Sequence, residues 1–135
     1  MTARAGLVGG ARRVVEASML ASALGSGNLE VLGTPALIAL MEQAACQAVE
    51  AQLGSDQTTV GTRIDVRHLT PTPLGAEVRA RAELIQVDGR RLVFAVEAFD
   101  EREKIGEGTH ERVIVDPSRL LARASSKLTA DNSLP

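Results

Sequence analysis

The sequence has no tryptophan and no tyrosine, and only two phenylalanines, Phe94 and Phe99. A chain of 135 residues that is 44% hydrophobic must therefore build its core from Leu, Val, Ile and Ala. Cys46 is the single cysteine, which excludes an intrachain disulfide and a cysteine metal cluster. It reads as a small buried hydrophobe on a helix. No apolar run reaches 18 residues, so no membrane-spanning helix and no membrane partner is expected. The first apolar stretch is broken by Gly9, Gly10, Arg12 and Arg13, unlike a secretory signal. There is no excess of basic charge: the formal net charge is −2, which argues against a nucleic-acid partner held through the phosphate backbone. The phosphate-loop pattern G-x-x-x-x-G-K-[ST] is missing, and so is support for nucleoside-triphosphate hydrolysis. Only two histidines occur, His68 and His110, with no H-x-x-x-H or H-E-x-x-H spacing, so no metal site is expected. What these absences leave is one ordinary soluble domain, by default cytoplasmic.

The segment around Thr34-Pro35 has the signature of a helix start, with Thr34 as the capping residue and Pro35 in the first turn. Leu37, Met41, Ala44, Ala45 and Ala48 then recur at helical spacing, and Gly54 closes the pattern. This predicts a helix over about 35–52. Its alanines, Ala39, Ala44, Ala45 and Ala48, permit close approach of whatever it packs against. Beyond Gly54 the period changes to two. Extended strands are expected over 58–69, 76–87, 91–100 and 104–116, with Asp88-Gly89 as a hairpin turn and Pro117 as a stop. Gly106-Glu107-Gly108, inside the last of these, signals a bulge or a close backbone approach. Residues 1–10 are expected to fray, and 11–24 fit helix and strand equally well. Residues 1–123 are expected to form a single domain and 124–135 a mobile tail, with Leu120 and Leu121 anchoring a short turn. One helix against at least four antiparallel strands is an α+β architecture. A single helix covers only part of such a sheet, and dimerisation is one way to manage the remaining face and edges.

Four side chains carry candidate chemistry. His68 and His110 can each serve as base or donor near pH 7, or be satisfied structural histidines. Thr34 offers a hydroxyl that either caps the helix or acts as a nucleophile. Glu42 lies eight residues on, about 12 Å along the helix axis. The two can line one cavity only if a substrate or a third residue bridges them. Alternatively, Glu42 is a boundary residue whose stem covers the edge of the core. The arginines Arg63, Arg67, Arg79, Arg81, Arg90, Arg91 and Arg112 form either a solvated sheet face or a set of phosphate contacts.

Several stretches together resemble one family. They are Gly25-Ser26-Gly27-Asn28-Leu29-Glu30-Val31-Leu32-Gly33-Thr34-Pro35, then Met41-Glu42, Thr59-Val60-Gly61, and Val66-Arg67-His68-Leu69-Thr70-Pro71-Thr72-Pro73. Gly106-Glu107-Gly108-Thr109-His110-Glu111-Arg112 also fits. In this order and spacing, over roughly residues 10–123, they are similar to the fluoroacetyl-CoA thioesterase-like branch of the hotdog superfamily. The resemblance implies an antiparallel sheet wrapped around one central helix, a homodimer or a tetramer built from it, and active sites at the dimer interface. It implies hydrolysis of an acyl-CoA thioester with Thr34, Glu42 and His68 as the catalytic set. It further implies Gly61 as a backbone donor to the thioester oxygen, with Gly33 and Arg67 completing the substrate-binding residues. No cofactor is implied, since coenzyme A is part of the substrate. Fluoroacetyl-specific members keep their pocket dry with phenylalanines in an N-terminal lid, whereas no aromatic residue lies between Val14 and Leu32 here. The acyl group expected is therefore short- to medium-chain or a small aryl group. A non-catalytic acyl-CoA binding protein and a hotdog hydratase or dehydratase are the alternatives.

Overall fold

Val78, Ala80, Ala82 and Leu84 on one strand, and Leu92, Phe94, Val96 and Ala98 on the next, are all buried. This period of two gives a sheet one apolar face. The computed structural model describes residues 3–128 and contains five antiparallel strands sharing that face. They are β1 (Val8–Val14), β2 (Thr58–His68), β3 (Glu77–Asp88), β4 (Arg91–Phe99) and β5 (Lys104–Val115), in the order β1-β3-β4-β5-β2. The sheet wraps a central helix, α2 (Thr34–Val49), which continues as a 3-10 turn over Glu50–Gln52. A one-turn helix α1 (Ala21–Leu24) precedes it, and α3 (Pro117–Ser126) follows the last strand. This is the α+β hotdog fold. Among the described residues, no helix is long and apolar enough to cross a membrane.

The buried face of α2 carries Leu37, Leu40, Met41, Ala44, Ala45, Ala48 and Val49, close to the stripe expected from the sequence. Ala39 is exposed and takes no part. The segment expected to fray is instead ordered from Val8 as β1, which pairs with β3 along its whole length. Its glycines are the reason. A Cβ at Gly9 would run into the Ala44 carbonyl and the Ala48 backbone. Only glycine lets the strand lie this close to the alanines of α2. Gln47 of the helix also accepts the Gly10 N–H at 3.0 Å.

Other expectations change as well. The helix cap is Gly33, not Thr34, which becomes the first helical residue and makes no capping hydrogen bond. Cys46 is half-buried rather than enclosed. Leu120 and Leu121 anchor nothing: both are exposed on α3, whose Asp116 cap accepts the Arg119 N–H. That helix runs past residue 123 to Ser126, and the rest of the expected tail from residue 129 lies outside the described residues. The Asp88-Gly89 turn forms one residue later than read, with Asp88 pairing Arg91 across Gly89-Arg90.

The feature that most affects the site is an irregularity in β2. Its register with β5 runs Gly61 opposite Arg112 and then Arg63 opposite Glu111, leaving Thr62 as an extra residue. In a regular strand, Gly61 and His68 are an odd number of residues apart and would face opposite sides. The bulge inverts the parity. Gly61 above it and His68 below it therefore both face α2.

Candidate active site

Thr34 stands at the exposed N-terminus of α2, and β2 brings His68 to it. The Thr34 Oγ1 to His68 Nδ1 distance is 2.8 Å. Burial lowers the imidazole below its ordinary value near 6.5, an effect opposed by the Thr70 backbone. The ring is therefore neutral at neutral pH, and a hydroxyl facing a bare Nδ1 donates its proton to it. His68 Nε2 and Thr70 Oγ1 are enclosed without a hydrogen-bond partner of good geometry. The pair opens on a cavity of about 400 Å³ lined by Thr34, His68, Leu29, Val31, Leu32 and Pro71, among others. The segment from Gly25 to Leu32 forms one wall. It is pinned by bridges from Leu20 to Leu32 and from Val31 to Pro73. No aromatic residue faces this cavity.

Glu42 is in a different place. Its Oε2 accepts a hydrogen bond from Arg112 Nη1 at 3.0 Å. Gly61 lies against the same carboxylate: a Cβ there would meet Oε2 at 2.5 Å. The boundary reading of Glu42 is thus replaced by a specific ion pair, with the side chain 39% exposed. Within one protomer the residues fall into two groups, Thr34 with His68 and Glu42 with Gly61.

The remaining predicted residues lie outside both groups. Gly33 spends its N–H on the Met19 carbonyl at 2.8 Å, and its own carbonyl accepts from Ala36 and Leu37. A Cβ on it would crowd Ala21 and Leu24 at 3.0–3.1 Å. Its backbone has no free donor for a substrate, so its role is to pack the helix start against α1. Arg67 has the opposite parity from His68 and is exposed opposite Glu107. It helps Lys104, the main cause, to hold the Glu107 carboxyl below its usual value. Most other arginines form the solvated outer face: Arg63 and Arg91 pair with Glu111, and Arg81 with Glu83 and Glu97. Arg112 is the exception, being buried on the inner face beside His110. The strand alternation carried a signal for it, because His110 and Arg112 share parity with the buried Ile114.

Comparison with known proteins matches residues 15–118 to the family described as fluoroacetyl-CoA-specific thioesterase. This chain belongs to that family. Fluoroacetyl-CoA thioesterase of Streptantibioticus cattleyicolor is 39% identical over 101 residues, covering 75% of this chain and 73% of that protein. A solved structure of the fluoroacetyl-CoA thioesterase FlK superposes with a TM-score of 0.89 at 32% identity, covering 96% of this chain and 100% of that one. A thioesterase superfamily member from Thermus thermophilus gives 0.85 at 26% identity, over 94% and 95% of the two chains. Fluoroacetyl-CoA-specific thioesterases thus share with this chain both the order of elements and nearly the full length of the fold.

Proposed function

We propose that this chain hydrolyses acyl-CoA thioesters at a site that two copies complete together. The observation that carries the reading is the 2.8 Å contact of Thr34 Oγ1 with His68 Nδ1 at the mouth of an apolar-walled cavity. A nucleophile within hydrogen-bond reach of a neutral base is the minimal arrangement for acyl transfer. Membership of a thioesterase family supports it.

The need for a second copy follows from the edge strand. β2 is 11 residues long, ends the sheet, and leaves its outer edge unpaired among the described residues. Natural sheets cover edges of that length. Antiparallel pairing of β2 with a second β2 would set the His68 end of one strand towards the Gly61 end of the other. One protomer's Thr34–His68 pair would then meet the other's Glu42–Gly61 pair. The exposed Leu29 and Leu69 line the same cavity as Thr34 and His68.

In the reaction, the thioester carbonyl accepts the Gly61 N–H, which steadies the developing oxyanion. The positive end of α2 lies beside Thr34 and favours the same charge. His68 Nδ1 takes a proton, either from Thr34 as it forms an acyl-enzyme or from a water held by Thr34 and Glu42. That proton then leaves with the thiolate as coenzyme A. On the first route, water attacks the acyl-threonine with His68 again as base. The aliphatic wall of Leu29, Val31 and Leu32 accepts a short- to medium-chain or small aryl acyl group.

Thiol release from a panel of acyl-CoAs, from acetyl to long-chain and including aryl and haloacetyl esters, tests the proposal. Hydrolysis is expected, with a fall in kcat/KM on the acid side centred below pH 6.5, because burial depresses the His68 value and the base must be neutral. Binding of the esters without thiol release at any pH would replace the hydrolase with a binding protein.

Thr34 gives a second prediction. Since it caps nothing, Thr34→Ala should lower thermal stability by less than the ~1 kcal/mol that losing an N-cap typically costs. Thiol release should nevertheless collapse in it and survive largely in Thr34→Ser. A folded serine variant without activity would argue against the hydroxyl as the working group.

A further inference from the structure

Thr72 is completely buried, yet it lies in the connection after His68 and belongs to no strand. Pro71 and Pro73 flank it and have no N–H to donate, so few backbone bonds can hold this stretch to the rest of the molecule. The hydroxyl supplies a tie: Thr72 Oγ1 donates to Asp100 Oδ2 at 2.9 Å. A hydroxyl on a carboxylate makes a charge-assisted bond, stronger than one between neutral groups. Asp100 is itself buried, and its other oxygen is occupied too. Oδ1 accepts the N–H groups of Arg102 at 2.8 Å and Glu103 at 3.0 Å, which folds the turn between β4 and β5. Burial, the largest single effect on this carboxyl, would raise it. The Arg102 N–H, the Thr72 hydroxyl and the Glu103 N–H together outweigh burial and hold it below its usual value. The carboxylate is therefore charged at neutral pH.

What this tie holds is the reacting pair. The Thr72 carbonyl accepts the Leu32 N–H at 2.9 Å. The strip from Leu32 to Thr34 and the strip from His68 to Thr72 thus form a closed ring with two non-covalent seams. Leu32 meets Thr72 at one seam, and Thr34 meets His68 at 2.8 Å at the other. Both strips line the same cavity. The His68 strip is fastened to the sheet at two points near the start of β5. Leu69 donates its N–H to the Ile105 carbonyl at 2.7 Å, and Thr72 is tied to Asp100 in the turn before that strand. The Thr34 strip leans on the second of these points through Leu32. Neither Thr72 nor Asp100 lines the cavity.

We propose that Thr72 and Asp100 are positioning residues, which anchor this ring to the β4–β5 turn and thereby hold Thr34 within hydrogen-bond reach of His68. The inference rests on Thr34 and His68 as the working pair of the thioesterase. With the anchor cut, the Leu32–Thr72 seam is free to shift, and the shift is felt at the opposite seam. Lengthening the Thr34–His68 contact by ~1 Å takes it out of hydrogen-bond range. Neither anchor residue touches substrate.

Thr72→Val keeps the side-chain volume and removes the donor. It should lower kcat by about tenfold to a hundredfold, the scale of a small misplacement of a catalytic group, with KM nearly unchanged. Thr72→Ser keeps the donor and should recover most of the loss. Added to His68→Ala, Thr72→Val should lower the residual turnover no further, because the anchor acts through that ring. Nitrogen NMR of the histidine rings gives a reading that does not depend on turnover. In Thr72→Val the His68 Nδ1 resonance should move from its wild-type position towards its position in Thr34→Ala, where the hydroxyl is gone. Should Thr72→Val not fold, Asp100→Asn, which can still accept the two N–H groups of the turn, should show the same movement to a smaller extent. A Nδ1 resonance that stays at the wild-type position in the folded variant would overturn the proposal, whatever the turnover. A resonance that moves while kcat does not would leave the anchor in place and take the pair out of the chemistry, which is failure of the thioesterase reading instead.

Discussion

Replacing His68 by alanine is expected to lower thioester turnover by ~10²-fold or more, the usual scale of a lost general base. The melting temperature should change little. His68 is half-buried at the end of an edge strand, and its one good side-chain hydrogen bond is to Thr34. With the imidazole gone, no base stands ready to take the proton, from Thr34 on one route or from water on the other. The defect should therefore appear in kcat and in kcat/KM together, with binding of the acyl-CoA preserved. Full turnover by a folded His68→Ala enzyme would show that the base lies elsewhere.

A mixture of two inactive variants is expected to regain activity. His68→Ala and Glu42→Ala should each be inactive as homodimers. Refolded together in equal amounts, they should recover about a quarter of the wild-type rate. Random pairing makes half of the dimers mixed, and each mixed dimer has one intact site out of two. If Thr34, Glu42 and His68 of one protomer served the same site, every site in a mixed dimer would carry a lesion and no rate would return. The experiment therefore distinguishes a shared site from a self-contained one without needing the dimer's coordinates. It depends on the separation of Thr34–His68 from Glu42–Gly61 within one chain.

The fold was largely legible because alternation and helical spacing are local signals. The inward faces of β3 and β4 and the stripe of α2 could be read directly from Val78 to Ala98 and from Leu37 to Ala48. β1 could not be read, because Gly9 and Gly10 have no hydropathy to alternate and gain their meaning only against Ala44 and Ala48 of the helix. Among the candidate site residues, Thr34 and His68 meet as a pair. Simple alternation placed Gly61 and His68 on opposite faces, and the extra residue at Thr62 is what reconciles them. A bulge of this kind depends on pairing with a strand some fifty residues away and leaves no local mark. Arg112 was lost among seven arginines for a related reason. Its charge suggested the solvated face, and only Glu42, seventy residues earlier, makes an inner position tolerable.

The sheet order also governs when competence can arise as the chain folds. β3, β4 and β5 follow one another through short turns, so their pairing closes small loops. β2 is made before all three yet pairs only with the last of them. His68 cannot be brought to Thr34 by sheet formation until β5 exists, and Glu42 has no Arg112 until the same strand is laid down. On a ribosome, nearly the whole chain must emerge before either half of the site is in place. In refolding, long-range closures of this kind are slow. Thioesterase activity should therefore return after the far-ultraviolet signal of the β3–β5 meander, and later still at low protein concentration, where the edge of β2 waits for its partner. Turnover recovering in step with secondary structure at every concentration would contradict that order.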